Sequence, residues 1–399
     1  MKILLPEGKE SNMHMTDTKI IYPALFLVSI LLSACGGGGG GGAAPGTTTV
    51  RSAYVANYGT NNVSQYAIDA NGALSLKTTV AAVSGPTSVT VDPSGKYAYV
   101  ANSFDSVISQ YKIVGGVLTQ MNPATEISGL APVSFALDPS GKYAYAANSA
   151  SNDVTQFSID PTSGALTNLV TVSAGTSPAY ITVTTDLLGK KYAYVVNVGI
   201  PTCPAPPTSC VVIAPSISQY SINATTGVLT PMAPEPLALG TDPASITVDP
   251  TGKYAYVANY GNSTISQYNI VAGALSPMTP VATVVGVPTT LLSLPTSIAI
   301  DPTGTHAYVA NGSGVYQYAI TNGALVELAS PTIYTGGFAQ RSITVDGSGK
   351  FVYMANQSDG SISQFSIGTG GQLSALSPNY VAGAATSQPY SITTAVSIQ

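Results

Sequence analysis

A five-residue string recurs seven times along this chain and constrains its fold more than any other feature. The string is Ala-Tyr-Val-Ala-Asn or a near copy of it, and successive copies lie 45 to 62 residues apart. The copies end at Asn57, Asn102, Asn148, Asn197, Asn259, Asn311 and Asn356. Self-similarity at such a period is typical of propellers and other repeat folds.

Each repeat carries the signals of four β-strands. Residues 96–102 alternate aromatic and small side chains at a period of two, as a strand does. The β-branched run 86–91 precedes them, and the Asp-Pro-Ser-Gly sequence at 92–95 between the two has type I turn chemistry. A third run contains a glutamine, and a Gly-Ala-Leu or Gly-Val-Leu string opens a fourth. Four strands per repeat predict a β-propeller blade.

The two ends of the repeat region complement each other. The first repeat starts at about Arg51 and lacks the strand that precedes the turn, whereas residues 389–394 are a further copy of that strand with no turn after it. We therefore predict an all-β fold over residues 51–399, a seven-bladed β-propeller with four antiparallel strands per blade. The C-terminal strand joins the N-terminal blade, which removes a free sheet edge.

The repeat unit resembles that of a known family. Its pattern, Pro-x-Ser-Ile-x-Val-Asp-Pro-x-Gly-Lys-Tyr-Ala-Tyr-Val-Ala-Asn, is similar to the YVTN-type repeat and to the seven-bladed lactonase-like propellers, which include 6-phosphogluconolactonase-type and muconate-lactonising proteins. The resemblance covers residues 51–399 and implies a propeller with His, Arg and Glu groups at the channel mouth. Of the two histidines, His14 precedes the repeats and His306 stands where other repeats have a tyrosine, so no such set is recognisable.

The N-terminal segment has the features of an export signal. Lys19 precedes an apolar stretch at 20–32 that ends in Leu-Ser-Ala-Cys35, and seven glycines follow. This ending resembles the lipobox of bacterial lipoproteins, in which the cysteine is acylated. We predict a lipoprotein signal peptide at 1–34 and the acylated Cys35 with a Gly-rich tether at 35–50. A plain signal peptide or an uncleaved anchor is the alternative. Because Gly36 is not the aspartate that retains such lipoproteins in the inner membrane, we expect the outer membrane, on its periplasmic or surface side.

Two further cysteines lie in an insertion that only the fourth repeat has. Cys203 and Cys210 flank a Pro-rich segment, and no histidine lies nearby to complete a zinc site. A close pair of this kind in an exported protein predicts a disulfide. We expect no metal ion and no cofactor.

Composition restricts the partners. Charged residues make up 8% of the chain, and 13 Lys and Arg against 18 Asp and Glu give a net charge of −5. Binding to a phosphate backbone depends on clustered cations, so we exclude nucleic acid. The expected contact with the membrane is the lipid anchor only.

Function is expected where the repeats differ, because residues present in every copy usually serve the fold. Arg341 is the most distinctive residue, since the same position holds Thr, Val or Ala in five other blades. An arginine at the channel rim can bind a carboxylate or phosphate through two hydrogen bonds, or it can simply be solvated. Asp242, Glu126 and Tyr180 are expected near the same rim. Arg341, Asp242 and Glu126 are our candidates for a catalytic role.

These features lead to a first interpretation and two alternatives. The first is an envelope-anchored lipoprotein propeller that acts as a binding module and contacts a protein or carbohydrate through variable loops at 198–215, 233–243, 279–295 and 328–340. This interpretation favours a protein without catalytic activity but leaves the question open, and any activity is expected to be that of a lactonase. One alternative, implied by the family resemblance, is a sugar-lactone hydrolase of the 6-phosphogluconolactonase-like group that uses Arg341 and nearby carboxylates. The other is a surface adhesion or structural repeat protein.

Overall fold

The computed structural model describes residues 49–200, 213–232, 237–284, 294–312, 314–334, 339–383 and 385–398. The predicted leader and tether with Cys35, and the segment that contains Cys203 and Cys210, lie outside the described residues. Among the residues that are described, no helix combines the length and apolar character needed to cross a bilayer.

The strands group into seven antiparallel sheets, the blades, which are numbered in chain order. Blade 1 contains β1 (Thr49–Asn57), β2 (Asn62–Ile68) and β3 (Leu74–Ala81). Blade 2 contains β4 (Pro86–Val91), β5 (Tyr97–Asn102), β6 (Val107–Val114) and β7 (Val117–Ile127). Blade 3 contains β8 (Pro132–Leu137), β9 (Tyr143–Asn148), β10 (Asp153–Ile159) and β11 (Leu166–Ser173). Blade 4 contains β12 (Pro178–Thr185), β13 (Lys191–Asn197), β14 (Ser216–Ile222), β15 (Leu229–Pro231) and the short β16 (Leu237–Ala238).

The remaining blades repeat this order. Blade 5 contains β17 (Pro243–Val248), β18 (Tyr254–Asn259), β19 (Thr264–Val271) and β20 (Ala274–Val284). Blade 6 contains β21 (Ser297–Ile300), β22 (His306–Asn311), β23 (Gly314–Thr321) and β24 (Ala324–Tyr334). Blade 7 contains β25 (Gln340–Val345), β26 (Phe351–Asn356), β27 (Ser361–Ile367) and β28 (Leu373–Val381). A 3₁₀ turn, Ala385–Ser387, leads into β29 (Pro389–Ile398), which is the innermost strand of blade 1.

Ring closure by the C-terminal strand is confirmed. Strand β29 pairs antiparallel with β1, with Val55 opposite Ile392. Ile392 is 4% exposed and packs in a cluster with Phe351 and Tyr353 of blade 7. The predicted seven-bladed, all-β propeller is therefore correct, and the first and last described strands share one blade.

The core lies between the blades, which explains why the repeat strands are apolar on both faces. In blade 2 every residue of Tyr97–Asn102 is buried. Tyr54 and Val63 of blade 1 pack in one cluster with Val89 and Val100 of blade 2. A strand that is covered on both faces cannot alternate apolar with polar residues, so it alternates large with small ones instead.

A ring of hydrogen bonds joins each blade to the next. The side-chain oxygen of the glutamine in the third strand accepts a hydrogen bond from the backbone N–H of a leucine in the outermost strand of the following blade, at 2.6 to 2.9 Å. The pairs are Gln65 with Leu118, Gln110 with Leu166, Gln156 with Leu229, Gln219 with Leu275, Gln267 with Leu325, Gln317 with Leu373, and Gln364 with Leu74. The repeated glutamine therefore serves assembly of the ring.

The repeated asparagine and aspartate also serve the fold. Asn148 donates to Asp153 and Thr155, which closes the loop after the second strand. Asp92 accepts from the backbone N–H groups of Lys96 and Tyr97, which holds the turn between the first two strands. Such local side-chain to backbone bonds are the usual role of Asp and Asn at turns.

Candidate functional site

The innermost strands of the seven blades enclose a central channel of about 840 Å³. One end of the channel meets the Asp-Pro-x-Gly turns, and we call it the turn face. The other end meets the loops that follow the repeated asparagines and the connections between blades, and we call it the loop face. The two kinds of loop touch there, since the backbone N–H of Tyr58 donates to the carbonyl of Gln388 at 3.2 Å.

One position from each innermost strand forms a ring at the loop-face end of the channel. Its members are Thr87, Val133, Ala179, Ala244, Thr296, Arg341 and Tyr390, and all of them line the channel. Five are small or apolar. The other two, Arg341 and Tyr390, lie side by side in the adjacent blades 7 and 1. The expectation that Arg341 stands at the channel rim is met.

The guanidinium of Arg341 is held on two sides. Its Nε donates to the side-chain oxygen of Gln357 at 2.7 Å, and its Cζ lies 5.2 Å from the centre of the Tyr390 ring. No described residue accepts a hydrogen bond from Nη1 or Nη2 of this exposed side chain. A guanidinium that is fixed at Nε, with terminal nitrogens that have no partner among the described residues, is suited to bind an oxygen-bearing group.

Asp242 and two tyrosines line the same channel from blades 4 and 5. Asp242 precedes β17 with φ of +47°, and its carbonyl accepts from the backbone N–H of Tyr260 at 2.9 Å. Its side chain is half-buried. Tyr180 of β12 is 39% exposed to the channel, and desolvation by the surrounding channel wall raises the pKa of its phenol. The predicted proximity of Asp242 and Tyr180 to the rim is therefore met.

Glu126 does not belong to this group, and its expected place at the rim is corrected here. It lies in β7, the outermost strand of blade 2, where it pairs with Ile108. The innermost strand of that blade, β4, separates it from the channel, because each blade runs radially from first to fourth strand. Sequence position alone does not reveal this radial distance.

His306 has a structural place at the turn face. Its ring packs on Gly371 of blade 7, where an added Cβ would come within 2.0 Å of Cδ2. Its Nδ1 lies 2.9 Å from the hydroxyl of Thr305 and 3.5 Å from a carboxylate oxygen of Asp301. In the same way, Tyr254 of blade 5 packs on Gly323 of blade 6. His306 therefore replaces a packing tyrosine and lies at the channel end opposite Arg341.

Three residues near the rim were missed by sequence reasoning. Gln357, Tyr58 and Tyr260 each follow the repeated asparagine of their blade, a position that is Ser, Val or Gly in the other blades. Tyr58 stacks against Tyr390 with ring centres 5.8 Å apart. Comparing the repeats at that position, one residue beyond the repeated string, would have found all three.

The rim offers a cation, a carboxylate and phenols around a water-accessible channel. Across the described residues there is no group of three His, Cys, Asp or Glu side chains placed to hold a metal ion. The arrangement can bind a polar carbonyl compound and place a carboxylate in the same channel.

Fold and rim together define the class, a seven-bladed β-propeller with a polar mouth at the loop face of its channel. The family model described as lactonase, 7-bladed beta-propeller, matches residues 48–183, 171–287 and 281–390. The chain therefore belongs to the lactonase-like seven-bladed propeller family. It matches none of the curated proteins with which it was compared.

Solved structures share this fold at low sequence identity. A Lactobacillus plantarum protein is 18% identical with a TM-score of 0.70, and the match covers 87% of this chain and 99% of that one. A candidate 6-phosphogluconolactonase of Bacteroides fragilis is 19% identical with a TM-score of 0.71, over 86% and 98%. The periplasmic gluconolactonase PpgL of Pseudomonas aeruginosa is 15% identical with a TM-score of 0.66, over 87% and 99%.

Family membership overturns the first interpretation of the sequence. The reading of the chain as a binding module is wrong, because the lactonase model matches the whole ring rather than a few blades. That reading relied on the absence of a recognisable His, Arg and Glu set. A propeller brings its rim residues together from separate blades, so no local string of sequence displays such a set.

Proposed function

We propose that this protein hydrolyses sugar lactones at the loop-face end of its channel. The observation that carries the proposal is the match of the lactonase family model across residues 48–390. The names of two structural relatives, a candidate 6-phosphogluconolactonase and a gluconolactonase, support the same reaction. The site is assigned to the rim around Arg341 because the residue at this position of the innermost strand differs between blades.

The reaction assigns a role to each rim group. Water attacks the lactone carbonyl, its oxygen bonds to the carbonyl carbon, the ring C–O bond breaks, and a proton passes to the departing ring oxygen to leave a hydroxy acid. Arg341 stabilises the negative charge that develops on the carbonyl oxygen, since prearranged donors at such a position are a main source of rate enhancement. Asp242 takes the proton from the attacking water as general base. Gln357 and Tyr390 are positioning residues that hold the guanidinium.

Charge at the loop face favours an uncharged lactone over a phosphorylated one. Among the described residues Arg341 is the one cationic side chain at this face. The carboxylates there are Asp105, Glu126, Asp153, Asp242 and Asp359. A face with this excess of negative charge repels a phosphate approaching the channel, so neutral sugar lactones are the proposed substrates.

The test is turnover by the purified full-length chain of a panel of sugar and acyl lactones, followed as acid release. We expect hydrolysis of neutral sugar lactones, with Arg341→Ala lowering kcat/KM by about 100-fold or more, the usual effect of removing one such donor. Lys253→Ala, at the turn face, is the matched control and should leave the rate unchanged. A folded sample that hydrolyses nothing on the panel would contradict the proposal.

We also propose that the reaction takes place at the cell envelope. The basis is the apolar stretch at 20–32 followed by Cys35 and the glycine tether. A tether of this kind holds the propeller near a membrane surface without fixing its orientation.

A further inference from the structure

A row of aromatic side chains leads outward from Arg341 across the loop face. We call it the aromatic ledge, and it consists of Tyr390, Tyr58 and Phe104. The ring of Tyr58 lies 5.8 Å from that of Tyr390 and 5.4 Å from that of Phe104. Arg341 begins the row with its Cζ 5.2 Å from the Tyr390 centroid. The ledge thus continues the candidate site from the channel mouth toward blades 1 and 2.

Phe104 at the outer end has no counterpart in the other blades. It is two residues beyond the repeated asparagine, a position that holds Gly59, Ala150, Gly199, Gly261 and Ser358 elsewhere among the described residues. Its side chain is 68% exposed. Core packing does not require a phenylalanine there, because five blades fold with a small residue at that position.

The exposed ring of Phe104 is nevertheless held in place. Its backbone N–H donates to the carbonyl of Ser84 at 3.3 Å. Its ring rests on Gly85, where an added Cβ would come within 2.8 Å of Cδ2. Tyr58 supports the ring from the channel side. A rigid exposed aromatic face of this kind loses little conformational entropy when a ligand covers it.

The ledge has the chemistry of a sugar-binding surface. A pyranose ring presents an apolar face of C–H groups that stacks on an aromatic ring, while its hydroxyls at the edge need polar partners. Exposed polar side chains flank the ledge, with the carboxylate of Asp105 beside Phe104 and the amide of Gln388 beside Tyr58. The spacing of the rings along the row is comparable to the width of one sugar unit.

We propose that the aromatic ledge is a second sugar subsite and that the substrate is the lactone at the end of a neutral oligosaccharide. The inference rests on the proposed lactonase function and names its substrate class. The lactone ring sits at Arg341 and Asp242, and the attached sugar units extend over Tyr58 and Phe104. Such a lactone is supplied by a reaction that oxidises the reducing end of an oligosaccharide.

The kinetic test compares glucono-1,5-lactone with cellobiono-1,5-lactone on the full-length chain. We expect the disaccharide lactone to have the higher kcat/KM, and Phe104→Ala to lower that value about tenfold while leaving glucono-1,5-lactone unchanged. Leu187→Ala, an equally exposed apolar side chain at the turn face, is the matched control. Equal kcat/KM for the two lactones, unaltered by Phe104→Ala, would overturn the ledge while leaving the lactonase proposal intact.

A binding measurement tests the ledge separately from catalysis. Saturation-transfer NMR with cellotetraose should show sugar contacts in the wild-type protein that Phe104→Ala reduces and Leu187→Ala preserves. This result would support the ledge even if no lactone were hydrolysed, in which case only the proposed function would fail. Contacts that persist unchanged in Phe104→Ala would overturn the ledge.

Discussion

The side-chain oxygen of Gln364 accepts a hydrogen bond at 2.8 Å from the backbone N–H of Leu74, which lies 290 residues earlier in the chain. Gln364 belongs to blade 7 and Leu74 to blade 1, so this bond completes the ring of seven inter-blade bonds. Both groups are buried, and a buried donor without a partner costs about 1–3 kcal/mol. Closure of the ring is thus stabilised by the same bond that joins every other pair of blades.

Replacing Gln364 by alanine should therefore lower stability although it changes no part of the channel. We expect Gln364→Ala to reduce the free energy of unfolding by about 1–3 kcal/mol, measured by denaturant titration. Gln120→Ala, at an exposed position on the outer strand of blade 2, should change it by less than about 0.5 kcal/mol. Equal effects of the two substitutions would show that the inter-blade bond contributes nothing.

The C-terminal strand should carry a large share of the stability. Ile392→Ala opens a cavity between blades 1 and 7 and should lower the free energy of unfolding by about 2–5 kcal/mol. Val396 lies in the same strand but is 47% exposed, so Val396→Ala should have a much smaller effect. Thermal unfolding should remain a single transition at a lower Tm for Ile392→Ala, because the first and last strands of the propeller share one blade. A separate early transition limited to blade 1 would contradict this.

Acid should weaken the ring through its buried turn carboxylates. Burial favours the neutral form of Asp138, but hydrogen bonds from Lys191, Ser140 and the backbone of Tyr143 outweigh it, and the pKa of Asp138 lies below its usual 3.8. A carboxyl with a lowered pKa stabilises the folded state above its unfolded pKa and loses that contribution as the pH falls through the folded value. Stability should therefore decline below about pH 4.

The variant Asp138→Asn tests this assignment. It should be less stable than the wild type at pH 7 and should show a shallower loss of Tm between pH 4 and pH 2 than the wild type. Glu327→Gln, at an exposed position in β24, is the control and should follow the wild-type profile. Parallel profiles for Asp138→Asn and the wild type would show that other carboxyls govern acid unfolding.

The proposed acylation of Cys35 can be tested by how the protein partitions between detergent and water. In cells that process lipoproteins, the mature chain should enter the detergent phase, because an acyl chain is strongly apolar. Cys35→Ser should leave the protein in the aqueous phase with unchanged lactone turnover. Partitioning that is the same for both proteins would contradict the lipoprotein prediction.

The predicted bridge between Cys203 and Cys210 has a direct readout. The exported, non-reduced chain should be about two mass units lighter than the reduced chain, because a disulfide forms from two thiols with loss of two hydrogens. Cys203→Ser should abolish the difference. Equal masses before and after reduction of the wild-type protein would exclude the bridge.

The fold was predictable because its determinants are local and repeated. The Asp-Pro-x-Gly turn, the alternating tyrosine strand and the glutamine strand occur within one repeat, so each copy confirms the others. Even the closure was visible, since residues 389–394 copy the strand that blade 1 lacks. Arg341 could be singled out for the same reason, as a departure from an otherwise regular pattern.

What the sequence alone determined is thus the blade count, the order of strands and the ring closure, since these follow from comparing the copies of one repeated pattern along the chain. The composition of the rim was decided by the tertiary structure. Arg341 and Tyr390 meet only because adjacent blades place equivalent positions around one axis, whereas Gln357 reaches Arg341 from just beyond the neighbouring strand of the same blade. Glu126 lies at a similar height but on an outer strand. The distance of a residue from the channel depends on whether its strand is the innermost or the outermost of the blade, and on how neighbouring blades pack. For this reason the residues of the channel mouth and of the aromatic ledge could be identified only in the folded ring.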